Sequence, residues 1–221
     1  MCKWRNGANH VLDSEGDIKL IKGKYSLKSG NGKGIQSEKN LYIGEESGND
    51  DDLSLYIETS NEGIEAMGTN IYSGDISINA GEDGINAASS GTECEGSFQY
   101  SGNCVCYINI EGGKLVVISG EDGLDANGDI FISGGLIKVF SASTGEDQPI
   151  DQDGLLKITG GTVIAAGTSS MGGINAQTTQ IAKIYTGSIN AGAKLAIISN
   201  DVEIIEIDTP KEASYAYFSR S

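Results

Sequence analysis

The chain has 221 residues, a formal net charge of −16, 32 glycines, 2 prolines and one histidine. That length suits a single domain with one sizeable core. The charge excludes nucleic acid and anionic membrane surfaces as partners, the glycines lack collagen's three-residue period, and no apolar run reaches the roughly 18 residues of a membrane-spanning helix.

Residues 1–17, MCKWRNGANHVLDSEGD, form an N-terminal segment without the apolar stretch of a signal peptide. Either the protein stays in the cytosol or it is a domain of a longer secreted chain with other domains attached. Cysteine usage favours the second. Cys94, Cys104 and Cys106 cluster in CEGSFQYSGNCVC, and Cys2 stands apart. The expectation is a disulfide within that excursion, formed in an oxidising compartment, with the pairing left open. A zinc site is the rival, but His10 is the only histidine and no C-x-x-C spacing occurs. The expected location is extracellular, free or attached to a cell surface.

A heptad then recurs along the chain: NGKGIQS from Asn31, SNEGIEA from Ser60, GEDGINA from Gly81, GEDGLDA from Gly120, DQDGLL from Asp151 and SMGGINA from Ser170. Aligned on Gly34, Gly63, Gly84, Gly123, Gly154 and Gly173, the copies are 29, 21, 39, 31 and 19 residues apart. Insertions near 45–52, 88–106 and 142–150 swell the longer intervals. A unit of about 20 residues with loop insertions is the mark of a solenoid.

Within each unit apolar residues alternate with polar ones. Ile76 and Ile78 do so in DISINA, Ile130 and Ile132 in GDIFISGG, and Val163 and Ala165 in TVIAA. Such alternation predicts short strands with one buried face, and no long helical pattern occurs. Three strands per unit, hinged at G-G and E-D-G, predict an all-β fold: a right-handed parallel β-helix of about six three-strand coils. The coils span residues 18–199 of a single domain, 1–221, and residues 200–221 cap the last coil. A β-roll of calcium-binding nonapeptides has much shorter tandem repeats, and a sandwich needs hairpins.

If the heptads stack, Glu62, Asp83, Asp122 and Asp153 form one acidic column, with Glu65, Asn86 and Asp125 beside it. Unit charges about 4.8 Å apart repel by about 1 kcal/mol in water and roughly 3–4 kcal/mol at an effective dielectric of 20. A hard divalent cation relieves this, because Ca²⁺ takes six to eight oxygens at about 2.3–2.6 Å. Three shared sites are expected. Glu62 and Glu65 share an ion with Asp83 and Asn86; Asp83 and Asn86 share one with Asp122 and Asp125; Asp122 and Asp125 share one with Asp151 and Asp153. Single E-D-G or N-E-G copies are ordinary turns, with glycine supplying positive φ; it is the repetition that points to metal.

The cadence DGI-x-A followed by I-x-I-S-G-G-x-I-x-I, from about Gly34 to Ser199, resembles the calcium-binding, polysaccharide-lyase-like β-helix domains of plant-cell-wall-degrading microbes, which attach to cellulose and pectate. The resemblance implies a secreted module that binds Ca²⁺ at stacked acidic turns and holds carbohydrate rather than cleaving it. The cysteine excursion and GNDDD at Gly48 to Asp52 stand outside that pattern.

An enzyme is the main alternative, a calcium-dependent pectate lyase-like protein. In the resembled lyases the base is Arg or Lys, and here Arg5 and Arg220 lie near the ends while Lys138 and Lys157 stand on strands. No acid–base set assembles in the sequence. A structural stalk or adhesin is a third reading. For sugar stacking the outward aromatics are Tyr42 and Phe131, aligned in one column with Lys157 beyond, and Tyr56 on another face; Tyr72, aligned with Ile132, is expected in the core. For an anionic polymer such as pectate, bound Ca²⁺ is expected to bridge uronate carboxylates to this acidic chain.

Overall fold

A computed structural model describes residues 10–88, 105–199 and 202–221. Its strands begin with β1 (Leu12–Ser14), β2 (Ile18–Leu20), β3 (Gly23–Ser29), β4 (Ile35–Ile43), β5 (Leu53–Thr59), β6 (Ile64–Ile71) and β7 (Asp75–Ala80). There follow β8 (Ile85–Ala87), β9 (Tyr107–Ile110), β10 (Lys114–Ile118), β11 (Leu124–Ala126), β12 (Asp129–Ile132), β13 (Leu136–Phe140) and β14 (Ile150–Gln152). The last are β15 (Leu156–Ile158), β16 (Thr162–Gly167), β17 (Gln177–Thr178), β18 (Ile181–Ile189), β19 (Lys194–Ser199), β20 (Val202–Asp208) and β21 (Ala213–Arg220). Among the described residues there is no α-helix, only one 3₁₀ turn at Asp50–Asp52, and no helix long and apolar enough to cross a membrane.

The fold is all-β and its repeating part is parallel. In an 11-stranded sheet, β1, β4, β6, β8, β11 and β14 pair through the heptads, while β2, β4, β6, β9, β12, β15 and β17 pair beside them. Strands β4 and β6 run through both strips, with a register break between Ser37 and Asn40. Beyond them the chain splits into separate short strands, such as β8 and β9. An 8-stranded sheet stacks β3, β5, β7, β10, β13 and β16 in parallel.

Alternation sends one apolar set from each sheet into a shared core. Ile35, Ile64, Ile85 and Leu124 stack through the heptads, Ile43, Ile71, Ile110, Ile132 and Ile158 through the neighbouring strip, and Ile57, Ile78, Val117 and Val139 face them from the other sheet. The parallel ladder of the second sheet ends at β16, earlier than residue 199. There β21 pairs antiparallel with both β16 and β18. The β19–β20 hairpin lies against the outside of this sheet, its Leu195, Ile197 and Ile205 packing beside Ile164 and Phe218. This explains why β13 and β16 read as nearly continuous apolar runs: both faces are covered. Of the cysteine excursion, Cys94 and Cys104, like Cys2, lie outside the described residues. Cys106 is buried in the core, and burial pushes its thiol up to about 11.

Among the heptad glycines only Gly173 adopts positive φ; contrary to the turn argument, Gly34, Gly63, Gly84 and Gly123 do not. They are needed because the next heptad and the opposite sheet come too close for a Cβ. On Gly84 it would lie 2.1 Å from Val117 Cγ1 and 2.5 Å from the Gly123 carbonyl; on Gly63, 2.4 Å from Ile78 Cγ2 and 2.5 Å from the Gly84 carbonyl. Gly84→Ala should therefore destabilise the protein by roughly 1–3 kcal/mol through overpacking, read as a lower urea midpoint. Gly30→Ala, at an exposed position without positive φ and with open space, should change stability by no more than about 0.5 kcal/mol.

Candidate functional site

The glycine contacts decide which acids meet. The amides of Gly34, Gly63, Gly84 and Gly123 donate to the carbonyls of Glu62, Asp83, Asp122 and Gln148. Residues preceding the glycines thus stack as Lys33, Glu62, Asp83, Asp122 and Gln148. Two positions after them, the strand register stacks Asp13, Gln36, Glu65, Asn86, Asp125 and Asp151. Of the eight expected ligands, Glu62, Glu65, Asp83, Asn86, Asp122, Asp125 and Asp151 occupy these two columns.

Asp153 does not. Alignment on Gly154 placed it beside Asp122, but Leu124 pairs with Ile150, so the fifth turn is DQPID, with Pro149 in the glycine's place. Asp153 falls just past this turn and is exposed, its amide donating to the Ala126 carbonyl.

One end of the columns carries its own cation. Lys33 Nζ lies 2.6 Å from Glu62 Oε2 and also contacts Glu65. Burial pulls the Lys33 ammonium down, and its contacts with the two carboxylates more than offset this, leaving it above the usual lysine value. Sequence reasoning missed Lys33, although NGKG puts it in register with Glu62.

Among the described residues the middle carries no cation. Asp83 Oδ1 accepts from the Asp122 amide at 3.0 Å, Asp122 Oδ1 accepts from the Gln148 amide, and Asp151 Oδ1 accepts from the Gln152 amide at 2.9 Å. One carboxylate oxygen each from Asp122, Asp125 and Asp151 lies within 4.8 Å of the others. Burial, then the neighbouring Asp122 charge, pushes Asp83 up to about 7. Burial and Asp151 push Asp122 to about 7 despite the Gln148 amide, and burial with the surrounding aspartates pushes Asp125 to about 8. Asn86 Oδ1 and Gln148 Oε1 are buried here without a hydrogen-bond partner, and Gln148 is only 5% exposed.

The outward aromatics lie elsewhere. Tyr42 and Phe131 share a column on the strip beside the heptads, in register Lys19, Tyr42, Asn70, Asn109, Phe131, Lys157 and Gln177. The third strand contributes Asn70 to this column, and the next residue, Ile71, pairs with Ile110 in the core. Tyr72 therefore falls one position past Ile71 and is half-buried, not in the core. Tyr56 stands on the second sheet, its hydroxyl 2.6 Å from Glu58 Oε2 and its ring 5.5 Å from Lys28 Nζ. Tyr107, half-buried on the same strip as Tyr42, went unnoticed in the sequence.

A family model described as "Carbohydrate-binding domain-containing protein" matches residues 5–209. The chain belongs to that carbohydrate-binding domain family. No curated protein and no solved structure matches it. Carbohydrate is thus supported as the ligand class of the domain, and the aromatic column and the acidic columns are two distinct surfaces available to it.

The raised carboxyls fix a direction of pH dependence in the metal-free domain. Asp83, Asp122 and Asp125 hold protons more tightly folded than unfolded, so their contribution is fully present below about pH 4 and is lost as pH rises through 7 to 8. In EDTA the thermal midpoint should fall between pH 5 and 8 by more than in the Asp83→Asn/Asp125→Asn double variant, as followed by circular dichroism.

Proposed function

We propose that this domain is a secreted, calcium-binding carbohydrate-binding module, wound as a right-handed parallel β-helix, which attaches to plant-cell-wall polysaccharide without cleaving it. The ligand class rests on family membership. The winding rests on the parallel register repeated in both sheets and on the right-handed preference of parallel crossovers.

The observation that carries calcium is the cation-free centre of the acidic columns. Oxygens bound to one Ca²⁺ lie at most about 5 Å apart, and those of Asp122, Asp125 and Asp151 satisfy this. The donors are all oxygen, as a hard cation prefers, with no thiolate or imidazole among them. The two unpartnered amide oxygens, of Asn86 and Gln148, supply neutral ligands of the same kind.

Asp122, Asp125 and Asp151 would hold one ion with Gln148, and Asp83, Asn86, Asp122 and Asp125 a second. Lys33 already neutralises Glu62 and Glu65, so those residues need no third. Bound calcium supplies charge neutralisation between stacked turns. The chain's part is to hold the carboxylates one rung apart and to bury them.

Lys138 stands on β13 and Lys157 on β15, in different sheets, so the lysines considered as lyase bases do not combine into one site. This supports a holding role.

Calorimetric titration of EDTA-treated protein should show two calcium ions per chain, and Asp125→Asn should weaken both together. Retention of both at full affinity in that variant would overturn the shared-column reading. The protein should also be depleted from solution by insoluble polygalacturonate or cellulose, with no unsaturated uronate ends released. Release of such ends would make it a lyase.

A further inference from the structure

Strand β18 ends the second sheet and pairs with β21 alone. An open edge offers unpaired amides and carbonyls to any strand that comes alongside, and sheets usually blunt it. The edges of the 11-stranded sheet, β1, β2, β14 and β17, are only two or three residues long. The other edge of the second sheet, β3, carries the exposed Lys24 and Lys28. Strand β18 has nine residues, is regular from Ile181 to Thr186, and contains no proline and no acid; Lys183 is its single charge. We propose that β18 is a self-association edge, at which two copies of this chain pair antiparallel about a two-fold axis at Ile184. The inference goes beyond the carbohydrate reading and does not rest on it.

Register with β21 sets the two faces of β18. Lys183 stands opposite Phe218 and Tyr185 opposite Ala216, on the face over which the β19–β20 hairpin lies. Ile184 stands opposite Tyr217, on the face that continues the core. Neither face is finished. Ile181 is 72% and Ile184 59% exposed, and Tyr185 and Ile198 of β19 are exposed beside them. Ile181, Ile197, Ile198 and Phe218 line an open cleft of 150 Å³ at this edge. Large apolar side chains gathered at an open edge mark an association surface.

Charge and pattern select a second copy as the occupant. Two chains of net charge −16 repel, so they meet best where carboxylates are absent. The chain has 31 acids, yet none occurs between Asp153 and Asp201. The hairpin's acids stand on β20, whereas the hairpin strand beside β18 is β19, whose Leu195 and Ile197 share a cleft with Lys183 and Tyr185. The strand is also complementary to itself. About a two-fold axis at Ile184, Lys183 of each copy lies opposite Tyr185 of the other, a cation beside a ring at both places. Ile184 meets its own equivalent, Ala182 meets Thr186, and Ile181 meets Gly187, which has no side chain to compete for the space. An axis at Lys183 would set lysine against lysine, and one at Tyr185 would leave Lys183 opposite Gly187. The contact is isologous and closes at two copies.

The test is sedimentation velocity of the full chain over a concentration series, where the wild type should approach twice the 23.0 kDa of one chain. Tyr185→Lys sets lysine against lysine at both places and should weaken the dimer roughly tenfold or more. Adding Lys183→Glu to that variant sets an acid against each lysine and should restore the dimer. Val105→Lys, at an exposed position before β9, should leave the dimer as it is. All three variants change exposed side chains and should keep the wild-type thermal midpoint by circular dichroism, which separates lost association from lost folding. A wild type that stays at 23.0 kDa throughout overturns the proposal and leaves the edge to a strand of a different chain. A dimer indifferent to Tyr185→Lys, or one that the double variant does not restore, overturns this edge and register.

Discussion

The close approach of successive heptads at Gly34, Gly63, Gly84 and Gly123 is the constraint on which this molecule depends. Each glycine amide reaches the carbonyl one turn on, preceding the next glycine or, for Gly123, preceding Pro149, and the side of the turn where a Cβ would stand is filled by an isoleucine or valine from the other sheet. The core is thus sealed at the corner where the chain turns. The same contact sets the spacing of everything that projects outward beside it, so an acid written next to the glycine in one unit necessarily stands one rung from the acid written there in the next.

That spacing explains the electrostatics. Carboxylates forced into a half-buried stack are costly when all are ionised, and the chain answers differently along the column. At one end Lys33 sits between Glu62 and Glu65. At the other, the column position beside Asp122 is filled by Gln148, a neutral amide, and the glycine position by Pro149. Among the described residues Asp83, Asp122 and Asp125 have no cation beside them, and they are the carboxyls pushed furthest upward. A feature repeated in sequence is therefore not equivalent in space, and the acidic turns differ in their partners from one end of the repeat to the other.

Much of this was legible in the sequence. Period-two alternation identified the strands, and the heptads identified the columns, because one Ile or Leu follows each glycine into the core. The fifth unit misled because two segments compete for alignment there, DQPID and DQDGLL; the glycine of the second is the more visible signal, but the inward position belongs to Ile150. Tyr72 misled for a similar reason, one residue deciding between inside and outside in a strand of period two. The β19–β20 cover was written in LIKVF and TVIAA, whose outward positions are apolar, yet the covering segment lies far along the chain and nothing local connects the two. Lys33 and Tyr107 were hidden differently. Their meaning depends on Glu62 and Gly68, partners that only the stacking of strands supplies.

The two surfaces meet on the same strands. Strands β4 and β6 run through the heptad strip and then, past a register break between Ser37 and Asn40, through the neighbouring strip, so one strand pair places Gln36 beside Glu65 in the acidic column and Tyr42 beside Asn70 in the aromatic column. Lys33 lies between Glu62 and Glu65 at the start of that pair. The chain thus neutralises its own acids at the one place where a misplaced turn would also shift the aromatic column.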